Sequence, residues 1–146
     1  MAVVQIEKTI QAPVDVVFGT VADARRFGEA VGGVTKLDFL SEATSGLGTR
    51  FRQTRNVDGR ESTMDFEVTE WASNDRIRIL NETHGTLWDS VFRFAPAGSA
   101  THLTMRMETT SRPLLARLLM PVMLALFIKK AIDRDLEALK ARCEGR

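Results

Sequence analysis

The chain has 146 residues, of which 44% are hydrophobic, and its 20 basic and 19 acidic residues give a formal net charge of +1. A chain of this length and hydrophobic content can bury one continuous core, and no linker-like stretch or internal repeat divides it, so we expect a single domain over residues 1–146. The balanced, interspersed charges exclude a strong electrostatic attraction to a nucleic acid backbone.

A strand followed by two short helices is predicted near the N-terminus. Residues 3–10 alternate between apolar and polar side chains, which is typical of a strand with one buried face, although Lys8 interrupts the apolar side. Helical spacing of apolar residues follows, and Asp23 is placed to accept hydrogen bonds at the start of a second helix. Gly32 and Gly33 tolerate positive φ and predict where that helix ends.

From Val34 onward the pattern is typical of consecutive antiparallel strands separated by turn residues. The predicted strands cover residues 34–41, 48–57, 61–72, 75–83, 86–95 and 100–110. Pairs such as Asp58-Gly59 supply the turns. Within the strands one set of alternating side chains is apolar, which predicts a sheet with one solvated face and one covered face. Trp71 shares parity with the polar set of its strand, so we expect it at the periphery.

The one element left to cover the sheet is a long C-terminal helix. Its predicted range is residues 112–144, and Pro121 is expected to kink it, because a proline inside a helix removes a hydrogen bond and clashes with the preceding turn. The second half of the helix is amphipathic, whereas the first half is apolar nearly all round. This apolar stretch is shorter than the roughly 20 residues that a membrane-spanning helix needs.

The order of elements, together with local stretches of sequence, resembles a known family. The stretches are Ile10 to Phe18 followed by Asp23, Gly46 to Gly48 before a strand, and Gly98 to Thr104 opening the last strand. Over essentially the whole chain the sequence resembles the START-like (SRPBCC) superfamily of helix-grip proteins, and most of all its polyketide cyclase/dehydrase and lipid transport branch. The resemblance implies an α+β helix-grip fold, in which a curved antiparallel sheet of about seven strands wraps around the C-terminal helix and two short helices follow the first strand. It also implies a cavity for a hydrophobic ligand between sheet and helix.

Face parity selects the side chains expected to line that cavity. The candidate ligand-binding residues are Gln53, Arg55, Met64, Phe66, Asn81, Trp88, Ser90, Phe92, Met105, Met107, Leu119 and Met123. A few polar groups in an apolar cavity are typical of a site that orients a ligand. Two interpretations of Arg55 stay open, because it either points into the cavity or extends past the nearby turn into solvent. For Asn81 and Ser90, hydrogen bonding within the protein is the favoured interpretation.

The sequence indicates no metal site, no cofactor and no assigned catalytic residue. Cys143 is the only cysteine, and neither histidine has a partner at metal-ligand spacing. Asp89 and Ser90 are consecutive in a strand and point to opposite faces, which argues against a hydrolase triad with His84. The resemblance transfers no catalytic residue either, so Lys8, if it points inward, is the one candidate base.

Three functions are compatible with these observations. The leading hypothesis is binding, transport or sequestration of a small hydrophobic molecule in the cavity. The second is catalysis by a polyketide cyclase/dehydratase-like enzyme on an aromatic or polyketide substrate. The third is attachment to a membrane surface or to a second copy of the chain through the apolar segment from Leu114 to Phe127. The N-terminal residues lack the apolar run of a secretory signal, so we expect a cytoplasmic protein. The balanced charges described above predict no nucleic acid partner.

Overall fold

The computed structural model describes all 146 residues. The strands are β1 (Ala2–Ile10), β2 (Val34–Phe39), β3 (Arg50–Val57), β4 (Arg60–Ala72), β5 (Arg76–Thr83), β6 (Thr86–Ala97) and β7 (Ala100–Ser111). The helices are α1 (Val14–Ala22), α2 (Ala24–Val31), α3 (Leu114–Met123) and α4 (Lys129–Cys143), and a π-helical turn, Leu124–Ile128, joins α3 to α4. We refer to residues 114–143 as the C-terminal helix. The predicted order of a strand, two short helices, a run of strands and a long helix is confirmed.

The strands form one antiparallel sheet in the order β1-β7-β6-β5-β4-β3-β2. Each strand from β2 to β6 pairs with the strand that follows it along the chain, and β1 pairs with β7. Helices α1 and α2 therefore carry the chain from one edge of the sheet to the other. The register shifts between Val34 and Lys36 and again between Val68 and Glu70, and bulges of this kind bend a sheet. The result is the expected curved sheet with the C-terminal helix on its concave face.

Strand register brings residues that are distant in sequence into rows across the concave face. One row crosses the whole sheet through Ala2, Thr109, Trp88, Asn81, Phe66, Phe51 and Phe39. The next row contains Val4, Met107, Ser90, Ile79 and Val68. Because side chains alternate along every strand, these rows join into one largely apolar surface. The cavity described below lies against this surface.

The position of Trp71 corrects the prediction from strand parity. The register shift between Val68 and Glu70 inserts one extra residue, so Trp71 pairs with Ile77 on the covered face. Its ring packs edge-on against Phe18 of α1, with the ring centroids 5.1 Å apart. The expectation of a peripheral Trp71 is therefore wrong, because a bulge reverses the parity of the residues that follow it.

Lys8 attaches the first strand to the C-terminal helix. Its ammonium nitrogen lies 2.7 Å from an oxygen of Asp133 and 2.6 Å from an oxygen of Glu137, with 15% of its side chain exposed. Hydrogen bonds to Asp133 and Glu137 raise the pKa of Lys8 above its ordinary value, so this side chain is charged at neutral pH. Lys8 points toward the C-terminal helix but does not line the cavity, and it holds its proton, so the structure does not place it as a base for a ligand there.

The C-terminal helix changes pitch three residues after Pro121, which lies inside α3. A proline cannot donate a backbone hydrogen bond, and the following turn, Leu124–Ile128, has the wider π-helical form. Where the sequence predicts a kink, the structure has this π-helical turn, which continues into α4. In α4, Leu136 and Leu139 are almost completely buried in the core. No helix in the structure has the length and apolar character needed to cross a bilayer.

Candidate ligand-binding cavity

A cavity of about 440 Å³ lies between the concave face of the sheet and the C-terminal helix. Strands β3 to β7 form its wall, α1 and α2 contribute to one side, and the π-helical turn and α4 cover it. Of the 23 residues that line the cavity, 17 are hydrophobic. Small-molecule sites typically occupy about 300–1,000 Å³ and have a mainly apolar lining, so both the size and the composition fit such a site.

Most of the residues expected to bind a ligand line this cavity. They are Gln53, Arg55, Met64, Phe66, Asn81, Trp88, Ser90, Phe92, Met105 and Met107. Leu119 and Met123 do not line it, since they are 50% and 42% exposed on the outer side of α3. This part of the helix turns Met120 and Leu124 toward the core instead. Contact between a ligand and any of these residues stays a prediction.

Asp135 is a cavity residue that the sequence analysis missed. The amphipathic pattern of α4 groups Asp135 with the charged residues of the solvent side, yet the structure places it in the cavity lining. Its spacing contains the signal, because Asp135 follows Ile132 by three positions and precedes Leu139 by four, as members of one buried stripe do. A carboxylate at a stripe position needs a partner, and that requirement points to a long-range ion pair.

Arg55 and Asp135 form a bidentate ion pair in the cavity lining. Nη1 and Nη2 of Arg55 donate to the two carboxylate oxygens of Asp135 at 2.8 and 2.7 Å. The two side chains are 22% and 21% exposed. The hydrogen bonds from the guanidinium to Asp135 raise the pKa of Arg55, so the arginine stays charged. Arg55 therefore lines the cavity and is held by Asp135, and it does not extend freely into solvent.

The backbone of Gly32 and Gly33 also positions Arg55. Nε of Arg55 donates to the carbonyl oxygen of Gly32 at 3.0 Å, and because a guanidinium has five N–H groups, two are left without a protein partner. Gly33 has a φ of +81°, and a Cβ there would lie 2.6 Å from the carbonyl oxygen of Asn56. Only glycine allows the two backbones this close, and the N–H of Asn56 donates to the Gly33 carbonyl at 2.8 Å.

The remaining polar side chains of the lining differ in whether they form hydrogen bonds within the protein. Nδ2 of Asn81 donates to the backbone oxygen of Asp65 at 2.8 Å, and Oδ1 accepts from Thr83 at 2.9 Å. Asn81 thus has the structural hydrogen bonds that the sequence analysis favoured. Gln53 and Ser90 line the cavity with no side-chain hydrogen bond to the protein, so the expectation of a structural hydrogen bond is wrong for Ser90, whose side chain faces the open space of the cavity. Those two side chains are free to bond a ligand.

The charged groups of the lining lie toward one end of the cavity. Phe51 and Arg55 both point inward from β3, and at strand spacing Arg55 lies roughly 13 Å beyond Phe51, close to the β3–β4 turn. Ser62 of β4 pairs with Arg55 and also lines the cavity. Phe92 and Met105 belong to a row near the opposite end. The cavity therefore has a charged end, and the rest of its lining is mainly apolar.

The sequence and the fold both match known proteins. A family model described as polyketide cyclase / dehydrase and lipid transport matches residues 1–144. No curated protein matches the sequence significantly.

Several solved structures are similar to this one over its whole length. A START superfamily protein from Mycobacterium smegmatis has a TM-score of 0.79 at 13% identity, with 99% of each chain covered. The di-domain ARO/CYC StfQ from the steffimycin biosynthetic pathway has a TM-score of 0.78 at 18% identity, and the match covers 99% of this chain and 52% of that one. The protein TTHA0849 from Thermus thermophilus has a TM-score of 0.76 at 21% identity, with coverage of 97% and 96%. At these identities the similarity demonstrates a common fold.

Proposed function

Since this chain belongs to the polyketide cyclase/dehydrase and lipid transport family, we propose that it binds a small, elongated hydrophobic molecule with a polar group at one end. The observation that carries the proposal is the cavity of about 440 Å³ with its apolar lining and its single charged end. Transfer of an apolar ligand from water to such a lining contributes roughly 25 cal/mol per Å² of apolar surface removed from water.

The charged end favours a carboxylate, a phenolate or a carbonyl group on the ligand. The two N–H groups of Arg55 that lack a protein partner are available as donors, and the Ser62 hydroxyl lies on the neighbouring strand. Asp135 fixes the orientation of the guanidinium, so little side-chain entropy is lost when a ligand binds. Farther along the cavity, Gln53 and Ser90 offer a second set of polar contacts.

Thermal unfolding in the presence of paired ligands tests the proposal. Each pair consists of an acid and its neutral analogue, for example dodecanoic acid with dodecanol and hydroxynaphthoic acid with naphthol, beside flavonoids, isoprenoids and sterols. A ligand at a hundred times its Kd stabilises the folded state by about 2.7 kcal/mol. For a chain of this length that raises the unfolding midpoint by roughly 5–10 °C. We expect at least one chemical class to produce such a shift.

Variants of two arginines on the same strand show where the ligand binds. Arg55→Met, combined with Asp135→Asn so that no unpaired carboxylate remains, should weaken binding of the acid about 10- to 100-fold and leave its neutral analogue nearly unchanged. Arg52→Met combined with Asp65→Asn is the matched control, because Arg52 makes an equivalent bidentate pair with Asp65 on the exposed face of β3. The control should bind both ligands as the unmodified protein does.

Two results would overturn the proposed function. The first is the absence of any shift across the panel, together with the absence of a bound small molecule when the purified protein is denatured and extracted for mass spectrometry. The second is a ligand-induced rise of the unfolding midpoint that is as large in a Ser90→Met variant. The larger side chain of this variant occupies the middle of the cavity and should block a ligand that binds there. Equal loss of the acid and the neutral analogue in the Arg55 variant would contradict only the assignment of the charged end.

The Arg55–Asp135 pair also favours a second candidate function, catalysis of a cyclisation or dehydration. A guanidinium donates hydrogen bonds to a carbonyl oxygen as negative charge develops on it, and Asp135 is the one carboxylate of the lining that can accept a proton. Any ligand found in the panel should then be incubated with the protein and its mass followed. Loss of water from the ligand, or its conversion to an isomer, would support an enzyme if Asp135→Asn abolishes the reaction and still binds the ligand. A ligand whose mass and structure do not change would support binding without catalysis.

A further inference from the structure

The segment from Leu114 to Phe127 buries only one of its four lengthwise columns of side chains. The buried column contains Ala116, Met120, Leu124 and Ile128, spaced every four residues, and these are the positions that are buried or half-buried. Two of the other three columns, which adjoin each other, are entirely apolar and exposed: Leu114, Leu118, Val122 and Leu126 in one, and Leu115, Leu119, Met123 and Phe127 in the other. We call these eight residues the apolar stripe.

The exposure of the apolar stripe is large for a protein surface. Leu114, Leu115 and Leu118 are 67%, 69% and 67% exposed, and Phe127 is 61% exposed. Helix α3 contains no buried residue at all. Scattered exposed leucines are ordinary, but a contiguous exposed apolar stripe along a helix marks a surface that something covers.

The charged residues within the helical segment and next to it in sequence are all positive. Arg112, Arg117, Lys129 and Lys130 are the only charged residues between positions 109 and 132, and Asp133 is the first acidic residue that follows. Arg112 forms an ion pair with Glu82 at 3.0 Å. Arg117, Lys129 and Lys130 form no ion pair within the protein, so their charges are available to an outside partner.

The combination of an exposed apolar stripe with flanking cations distinguishes between two possible occupants, a second copy of the chain and a lipid bilayer. A second copy of the chain, docked through the same stripe by a two-fold axis, would bring two sets of these cations together and oppose association. A lipid bilayer with anionic headgroups instead accepts the apolar side chains in its interface and attracts the flanking cations. The charge complementarity therefore favours an anionic lipid surface.

We propose that the apolar stripe docks this protein on the surface of an anionic lipid bilayer. The helix lies in the interface with its two exposed columns among the acyl chains, and Arg117, Lys129 and Lys130 contact headgroup phosphates. Ile128, next to the stripe residue Phe127, lines the ligand cavity. Docking thus places the cover of the cavity at the membrane, where hydrophobic molecules are dissolved.

Vesicle co-sedimentation of the full chain tests this proposal. The probes are vesicles of pure phosphatidylcholine and vesicles in which a third of the lipid is phosphatidylglycerol. We expect binding to the anionic vesicles, weaker binding to the neutral ones, and release by high salt because salt screens the headgroup charge. In Leu118→Ser/Val122→Ser binding should fall more than tenfold, because less apolar area enters the interface.

A second pair of variants separates charge from hydrophobicity. Lys129→Gln/Lys130→Gln should lower binding to anionic vesicles by roughly 25-fold, at about fivefold for each cation lost. Its control, Lys36→Gln/Arg93→Gln, removes the same charge from exposed positions outside the segment and should bind normally. Leu47→Ser is the control for the apolar variant, because Leu47 is 66% exposed in the loop before β3.

Circular dichroism first establishes that each variant is folded, which is expected since all the replaced side chains are exposed. Absence of vesicle binding by the unmodified protein would overturn the proposal. So would equal loss in the variants and their controls. A dimer in light scattering that Leu118→Ser/Val122→Ser converts to a monomer would identify a second copy as the occupant and would also overturn it. Ligand binding in the cavity is measured separately and does not depend on this outcome.

Discussion

At the scale of single residues, the charged end of the cavity depends on groups that hold one another in place. Asp135 orients Arg55, the Gly32 carbonyl accepts from the third nitrogen of the guanidinium, and Gly33 lets the chain pass against Asn56. An arginine in an apolar cavity without these partners would lose hydration without compensation. The same partners leave two N–H groups unused, and those donors are what a ligand can recruit.

Gly33 provides a test of this arrangement. Gly33→Ala should lower the free energy of unfolding by about 2 kcal/mol or more, because the left-handed conformation costs about 1–2 kcal/mol for alanine and the Cβ also meets the Asn56 oxygen. Gly46→Ala is the matched control, since Gly46 has a φ of +88° and open space around its Cβ position. Urea unfolding measures both, and equal losses would show that the contact with Asn56 contributes nothing.

Lys8 gives the protein a pH dependence on the alkaline side. Its pKa is raised above the ordinary value of 10.5, so its ion pairs with Asp133 and Glu137 are fully present below pH 10.5 and are lost as the pH rises through the folded-state pKa. Lys8→Met should therefore be less stable than the unmodified protein at neutral pH, and the difference should shrink above pH 10.5.

Thermal unfolding followed by tryptophan fluorescence between pH 7 and pH 12 measures this difference in stability. Lys36→Met is the control, because Lys36 is 69% exposed and its one ion pair, with Asp38, is longer at 3.5 Å. The control should differ little from the unmodified protein at any pH. A gap for Lys8→Met that stays constant up to pH 12 would show that the ion pairs do not stabilise the fold.

At the scale of elements, the two halves of the C-terminal helix have different environments. Helix α4 packs into the core and is tied to β1 by the ion pairs of Lys8, whereas α3 contacts the edge of the sheet near β1 and β7 and leaves most of its surface outside. The π-helical turn after Pro121 lies between them. The apolar side chains Leu136 and Leu139 of α4 are therefore buried, whereas most apolar side chains of α3 form an exposed surface.

Substitutions in the two halves should differ sharply in their effect on stability. Leu136→Ala should lower the free energy of unfolding by about 2–5 kcal/mol, because this side chain is 2% exposed and its removal leaves a cavity. Leu126→Ala removes the same atoms from a side chain that is 53% exposed and should change it by less than about 0.5 kcal/mol. Urea unfolding of both variants measures the contrast, and a large loss for Leu126→Ala would mean that the apolar stripe is covered within the free protein.

At the scale of the whole molecule, the cavity exists because the curved sheet and the helix meet only along part of their length. Leu136 and Leu139 close the contact on one side, and the Arg55–Asp135 pair spans the gap on another. Proteins at 13–21% identity share this fold, so the fold persists while most side chains differ. The ligand proposed above is therefore inferred from the cavity lining of this chain alone.

The amino-acid sequence by itself determined the strands, the helices and the N-cap at Asp23, whose carboxylate accepts from the N–H groups of Arg25 and Arg26 as predicted. Those features depend on neighbours two to four positions away, which the sequence displays directly. Only the tertiary structure decided that a bulge turns Trp71 inward, that Arg55 pairs with Asp135 across 80 positions of chain, and that Lys8 forms ion pairs with α4. Pairings over such distances depend on sheet register and helix packing, and no local pattern of residues records either of them.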